Sequence, residues 1–255
     1  MLTTCGLEQV GAACVDQGQA LGLHGRVGNL PAEDMRVDRR WEGDDYVVMV
    51  AGRVVQCCAL SEWYILAREI QVRAGQSIIR IHDVVENPGY ATLPLQLLYH
   101  MNIGFPIIDE GSRVLFPSCR VQPRDQASAA GLAEWNRLSG PVKGFEAQVF
   151  QHDMRADAAG LVTAAVINDR LAGGRAVYVR YRPDELPVFS QWKMLGEGSY
   201  LMGMEPGICG VEGRETARAT GALRFIEPGE RREFHLEIGV LEGCEAIAAL
   251  EAAIG

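Results

Sequence analysis

Short apolar runs rich in β-branched residues, punctuated by proline–glycine pairs and glycines, constrain this chain most. Phe234, Leu236, Ile238 and Val240 alternate with His235, Glu237 and Gly239, the two-residue period of a strand with one buried face. Residues 46–50, 53–57, 65–72, 77–82 and 175–181 have the same short length and β-branched content. Among these runs stand Asn87-Pro88-Gly89, Glu205-Pro206-Gly207 and Glu227-Pro228-Gly229-Glu230. They read as turns, because proline fixes φ and glycine tolerates positive φ. Together with 29 glycines, this pattern predicts a mainly β chain of many strands, a large sandwich. Two stretches read as helical: a short one over 129–138 and a C-terminal one over 245–254, the latter expected against the sheet edge.

With no internal repeat and no linker composition, the 255 residues are expected to form a single domain, 1–255. The net charge of −9 argues against nucleic acid or an anionic membrane as a partner, since both need a basic footprint. No apolar run reaches the about 18 residues of a membrane span. The first residues carry no basic-then-apolar leader, so a cytoplasmic protein is expected. Seven cysteines (5, 14, 57, 58, 119, 209, 244) show no CxxC spacing and are expected reduced and mostly buried. The five histidines (24, 82, 100, 152, 235) show no HxH or HExxH pattern, so no metal centre is expected; His82-Asp83 is a weak hint of one. No GxGxxG or P-loop occurs, and no cofactor is expected.

Four segments carry chemistry. His100 and Asn102 are two apart in an apolar strand and so share a face. His100 is either a hydrogen-bonded core imidazole or a general acid that titrates near neutrality. Glu205 follows an apolar run and is either a solvated turn glutamate or a carboxylate aimed into a pocket. Glu227 has nearly the same local pattern, which therefore cannot separate the two. His24 and Arg26 flank Gly25, as a plain surface loop or as ligand contacts. Gln191-Trp192-Lys193 is either a core indole with polar neighbours or a platform for a sugar, whose C–H face stacks on indole while its hydroxyls take polar partners.

Taken together, Leu2-Thr-Thr-Cys-Gly-Leu7, Leu23-His-Gly-Arg26, Leu98-Tyr-His-Met-Asn-Ile-Gly104 with Asp109-Glu-Gly111, Leu186-Pro187 with Gln191-Trp-Lys-Met194, and Gly203-Met-Glu-Pro-Gly207 resemble the galactose mutarotase-like (aldose 1-epimerase) superfamily. The resemblance is greatest to its uncharacterised bacterial branch, a domain of unknown function. It implies a β-supersandwich with a short C-terminal helix. It also implies that Glu205 takes the proton of the anomeric hydroxyl while His100 protonates the ring oxygen. His24 matches a second histidine at the ring oxygen. Arg26, Asn102, Asp109, Gln191, Trp192 and Lys193 are expected to shape the sugar pocket. Relatives carry further N-terminal strands, expected to be absent here together with an arginine of the sugar site. The open edge so left would invite aggregation or a homodimer. The resulting expectation is a carbohydrate epimerase needing no cofactor. Three other readings stay open: an isomerase or lyase for an acidic sugar held by Lys193 and Arg26, a non-catalytic sugar-binding protein, and a metal-dependent hydrolase.

Overall fold

The computed structural model describes residues 2–254; Met1 and Gly255 lie outside the described residues. The chain is mainly β, as the alternation predicts. It divides into two compact units. One comprises Thr3–Tyr99 and Gly207–Glu237; the other comprises Leu2, His100–Pro206 and residues 238–254.

In the first unit, Glu33–Glu42, Asp45–Cys57, Trp63–Arg73 and Ile78–Glu86 form an antiparallel meander. Its register places Val50 opposite Ile70 and Ile70 opposite Ile81, so apolar side chains stack across strands. The runs expected separately at 46–50 and 53–57 are one strand, Asp45–Cys57. It stays continuous through Gly52, where an added Cβ would stand 2.3 Å from Met35 Sδ. Glu33–Glu42 escapes the sequence pattern because it is charged and mostly exposed, with no apolar period to detect. Below the sheet, Arg68 grips buried Asp83 through two hydrogen bonds of 2.7 and 2.6 Å, and the Tyr99 hydroxyl donates to the same carboxylate.

The proline–glycine segments diverge. At Pro228-Gly229 the chain turns: Gly229 has φ 75° and Glu230 N donates to Glu227 O at 3.0 Å. Glu205-Pro206-Gly207 does not turn but ends the strand Ser199–Gly207. Gly207 serves close approach instead, since a Cβ there would lie 2.7 Å from Leu97 O.

The second unit contains the sheet order Leu93–Gly104, Ser199–Gly207, Val188–Gly196, Gln148–Met154, Ser118–Pro123, counting the residues that belong to it. A second run of strands is Arg231–Glu242, Arg175–Tyr181, Val162–Asn168, Arg113–Leu115. Val162–Asn168 is buried on both faces. The helix Cys244–Ile254 covers it, setting Leu250 against Ala165 and Tyr178, and Ile247 against Ile167 and Ala176. The helix therefore lies on the sheet face rather than at its edge. Each of these two side chains contributes about 1.5–3 kcal/mol by burial. The alternation of 234–240 breaks at Gly239, whose missing side chain leaves room for the Tyr178 ring. The other expected helix starts earlier, at Gln126–Ala130, because Asp125 caps it by accepting from Ser128 N at 2.9 Å. It is followed by a 3-10 turn, Leu132–Glu134.

Among the described residues no cysteine is in a disulfide, and only Cys5 and Cys209 are buried. The expectation of mostly buried thiols fails because Cys57 and Cys58 fall at a strand end and Cys119 and Cys244 on outward-facing positions. Among the described residues no helix is long and apolar enough to cross a membrane.

Candidate active site

In the second unit one sheet face gathers the chemistry. His100 and Asn102 project from Leu93–Gly104, alternating with buried Tyr99, Met101 and Ile103. Gly203 and Glu205, also two apart, share a face of Ser199–Gly207. His100 Nε2 and Glu205 Oε1 lie 3.1 Å apart, the carboxylate side chain being 2% exposed. The approach is not aligned as a hydrogen bond, and Glu205 Oε1 accepts none from the described residues. The Trp192 ring meets the imidazole edge-on, with centroids 5.5 Å apart and planes at 78°. Gly203 makes this possible: an added Cβ would stand 2.1 Å from Glu205 Oε1 and 3.2 Å from Trp192 Cβ.

Burial sets the electrostatics. Desolvation pushes the Glu205 carboxyl up to about 8, and the guanidinium of Arg124 pulls the other way. Arg124 N donates to Val149 O at 3.0 Å, and Val149 stands opposite Trp192 in register. Arg124 is itself held by Asp125, at 2.9 and 2.7 Å. Asn102 Oδ1 is buried and has no hydrogen-bond partner among the described residues. Two buried acceptors in this state, each costing about 1–3 kcal/mol, stand beside an imidazole and an indole. That set of acceptors and rings suits a ligand with hydroxyl groups to donate and an apolar face.

Gln191 and Lys193 do not join this face. They alternate with Trp192 on Val188–Gly196 and are 0% and 4% exposed. Lys193 Nζ donates to Glu134 O at 2.6 Å, and burial lowers its pKa. Gln191 Nε2 donates to Trp135 O at 3.0 Å, while its Oε1 lies 3.2 Å from His152 Nε2. His152 is buried against Phe116, Trp135 and Phe189, and desolvation pushes it down to about 4. Asp109 sits in the turn after the strand, where its Oδ1 accepts from Glu110 N at 2.8 Å.

His24 and Arg26 belong to the first unit. His24 Nδ1 accepts from Gly11 N at 3.2 Å, and burial lowers its pKa. Gly25 permits the close approach expected of it, but to backbone: a Cβ there would lie 2.3 Å from Gly6 O. Arg26 is held by two buried carboxylates, Glu8 at 2.8 Å and Glu62. Sequence reasoning missed Arg124 and Gly203. Gly203 was legible as the residue two before Glu205, once the strand is known to run through the proline.

The domain-of-unknown-function model DUF4432 matches residues 1–240. No curated protein matches the sequence. A candidate aldose 1-epimerase from Klebsiella pneumoniae subsp. pneumoniae MGH 78578 is similar at 29% identity with TM-score 0.94, over 100% of this chain. This chain covers 66% of that protein's length, just under two thirds. A galactose mutarotase-like protein from Clostridium acetobutylicum has TM-score 0.62 at 14% identity, over 94% of this chain and 79% of its own. Galactose 1-epimerase from Lactobacillus acidophilus NCFM has TM-score 0.52 at 10% identity, over 94% and 80%. The latter two share the fold. The chain belongs to the DUF4432 family, a domain of unknown function with the galactose mutarotase-like fold.

Proposed function

We propose that this chain is a carbohydrate mutarotase, interconverting the anomers of an aldose by acid/base ring opening. The observation that carries the reading is the 3.1 Å approach of His100 Nε2 to Glu205 Oε1. Ring opening acts on two oxygens bonded to one carbon, so its acid and base must be neighbours. The Glu205 carboxylate takes the proton of the C1 hydroxyl while the His100 imidazolium gives one to the ring oxygen. The bond between C1 and the ring oxygen breaks and an aldehyde forms. Rotation about C1–C2 presents its other face. In the return step Glu205 gives its proton to the carbonyl oxygen, His100 takes one from the ring hydroxyl, and the ring closes with the two groups restored.

A Glu205 carboxyl raised to about 8 fits a base that must also return its proton near neutral pH. Passing that proton to His100 produces carboxylate and imidazolium in one step. Trp192 supplies the apolar wall, and Asn102 Oδ1 supplies an acceptor for a sugar hydroxyl. Two-dimensional NMR exchange between α and β anomers, over a panel of neutral and acidic sugars, tests this. Faster exchange for one sugar, lost in Glu205→Gln, is the expected result; no acceleration by the folded protein for any sugar would sink it.

Arg124 favours one second reading, an isomerase or lyase for an acidic sugar. Arg26 and Lys193, the cations first considered for that role, are engaged by Glu8 and Glu62 and by a carbonyl. Arg124 is also paired, with Asp125, but it is the cation whose charge acts on Glu205. Preference for acidic over neutral sugars in the same panel would support this alternative.

A further inference from the structure

The outer face of the first unit holds a second cluster. His82 lies on Ile78–Glu86; Glu233 and His235 are two apart on Arg231–Glu242, the adjoining strand, and so share a face. One ligand atom from each of the three lies within 4.8 Å of the others. His82 Nε2 and Glu233 Oε2 are already 3.1 Å apart. The two imidazoles stack with centroids 4.5 Å apart and planes at 7°. Glu233 and His235 are exposed and His82 is half-buried, so an ion could reach them. Asp83 plays no part, since it points inward to Arg68 and Tyr99.

The surrounding charges do not block a cation. Arg80 pairs with Glu237 at 3.2 Å and Arg231 approaches Glu86 at 3.8 Å. Glu69, opposite His82 in register, holds Arg36. Each neighbouring guanidinium thus has its own carboxylate.

We propose that His82, Glu233 and His235 form a binding site for a divalent transition-metal ion, zinc in particular. Two imidazoles and one carboxylate are a donor set that zinc takes, leaving a fourth position for water. With bonds of about 2.0–2.1 Å, ligand atoms around zinc stand about 3.3 Å apart. The existing spread therefore closes by side-chain rotation, which also turns the parallel rings to converge on one ion. The ion would tie two strands far apart in sequence, and its binding to the folded state alone would raise stability.

The test is titration of the full chain with zinc chloride by calorimetry, beside His82→Asn, His235→Asn and Glu233→Gln. Cobalt(II) absorption identifies the ligands. The expected result is one ion per chain, with affinity about 10- to 100-fold weaker in each histidine variant, since losing a ligand costs at least as much as losing an outer partner. The cobalt spectrum should lack the thiolate charge-transfer band that exposed Cys57 and Cys58 would produce. Zinc should raise the melting temperature of the parent chain and not of the histidine variants. No binding, unchanged affinity in both histidine variants, or a thiolate band would each overturn the proposal. None of these three residues belongs to the proposed catalytic face, so anomer exchange is expected to be unchanged in the variants.

Discussion

His100 Nε2 stands 3.1 Å from Glu205 Oε1, yet that carboxylate oxygen accepts no aligned hydrogen bond from the described residues. The two groups are close enough to exchange a proton through a substrate but are not locked to each other. If they work as one acid/base unit, either change, Glu205→Gln or His100→Asn, lowers catalysed anomer exchange by about 10²- to 10⁴-fold. The double variant should be little worse than the poorer single one, because groups acting as a unit are non-additive. Exchange NMR on all three proteins measures this, and losses that simply multiply would mean that the two groups act independently.

Gly203 bears on the same pair through space alone. An alanine there would put its Cβ 2.1 Å from Glu205 Oε1, and the carboxylate would have to move. Overpacking of this kind costs about 1–3 kcal/mol. Gly203→Ala is expected to fold with a modest loss of stability but a kcat loss approaching that of Glu205→Gln. A fully active Gly203→Ala protein would show that the carboxylate's present position does not matter to the chemistry.

Glu205 should also cost the fold stability as pH rises. Its carboxyl is pushed from 4.5 to about 8 by burial. Between those values the folded chain keeps a proton that the unfolded chain has released, so unfolding free energy falls with increasing pH. The loss is on the order of a few kcal/mol at most. Glu205→Gln removes this dependence. It should unfold at higher urea than the parent chain at the alkaline end of the window, and the difference should vanish toward 4.5. An equal gain at every pH would point to packing rather than ionisation.

The sequence carried the class of fold and the pairing of His100 with Glu205 further than it carried the rest. Strands with one buried face announce themselves by alternation, as Phe234, Leu236 and Ile238 do. Glu33–Glu42 could not, because an exposed, charged strand has no apolar period. Glu205 and Glu227 sit in nearly identical Pro-Gly contexts. They part only because Leu97 O crowds Gly207 while Gly229 is free to take positive φ, a difference made by a distant strand. Gln191 and Lys193 were grouped with Trp192 by adjacency. On a strand, adjacency means opposite faces, so the motif divides between the candidate site and the layer behind it. His24 and Arg26 are committed to Gly11, Glu8 and Glu62, partners that no local pattern reveals.

That division makes Lys193 and Arg124 opposite cases. Lys193 donates to Glu134 O from the face away from Glu205. Lys193→Met should therefore lower stability by about 1.5–3 kcal/mol through the lost charge-assisted hydrogen bond, Arg137 N still donating to the same carbonyl, without altering KM for any sugar. Arg124 lowers the Glu205 carboxyl pKa through space. Arg124→Gln removes that attraction, the carboxyl rises further, and the acid limb of the kcat/KM profile moves to higher pH. Its ion pair with Asp125 is part-exposed, so the stability cost should stay within about 1 kcal/mol. If the substrate is a neutral sugar, KM should hold while the pH profile shifts. If the substrate carries an acid group, KM should rise as well. An unmoved profile with unchanged KM would show that Arg124 serves only the Asp125 cap, and would remove the one observation favouring an acidic sugar.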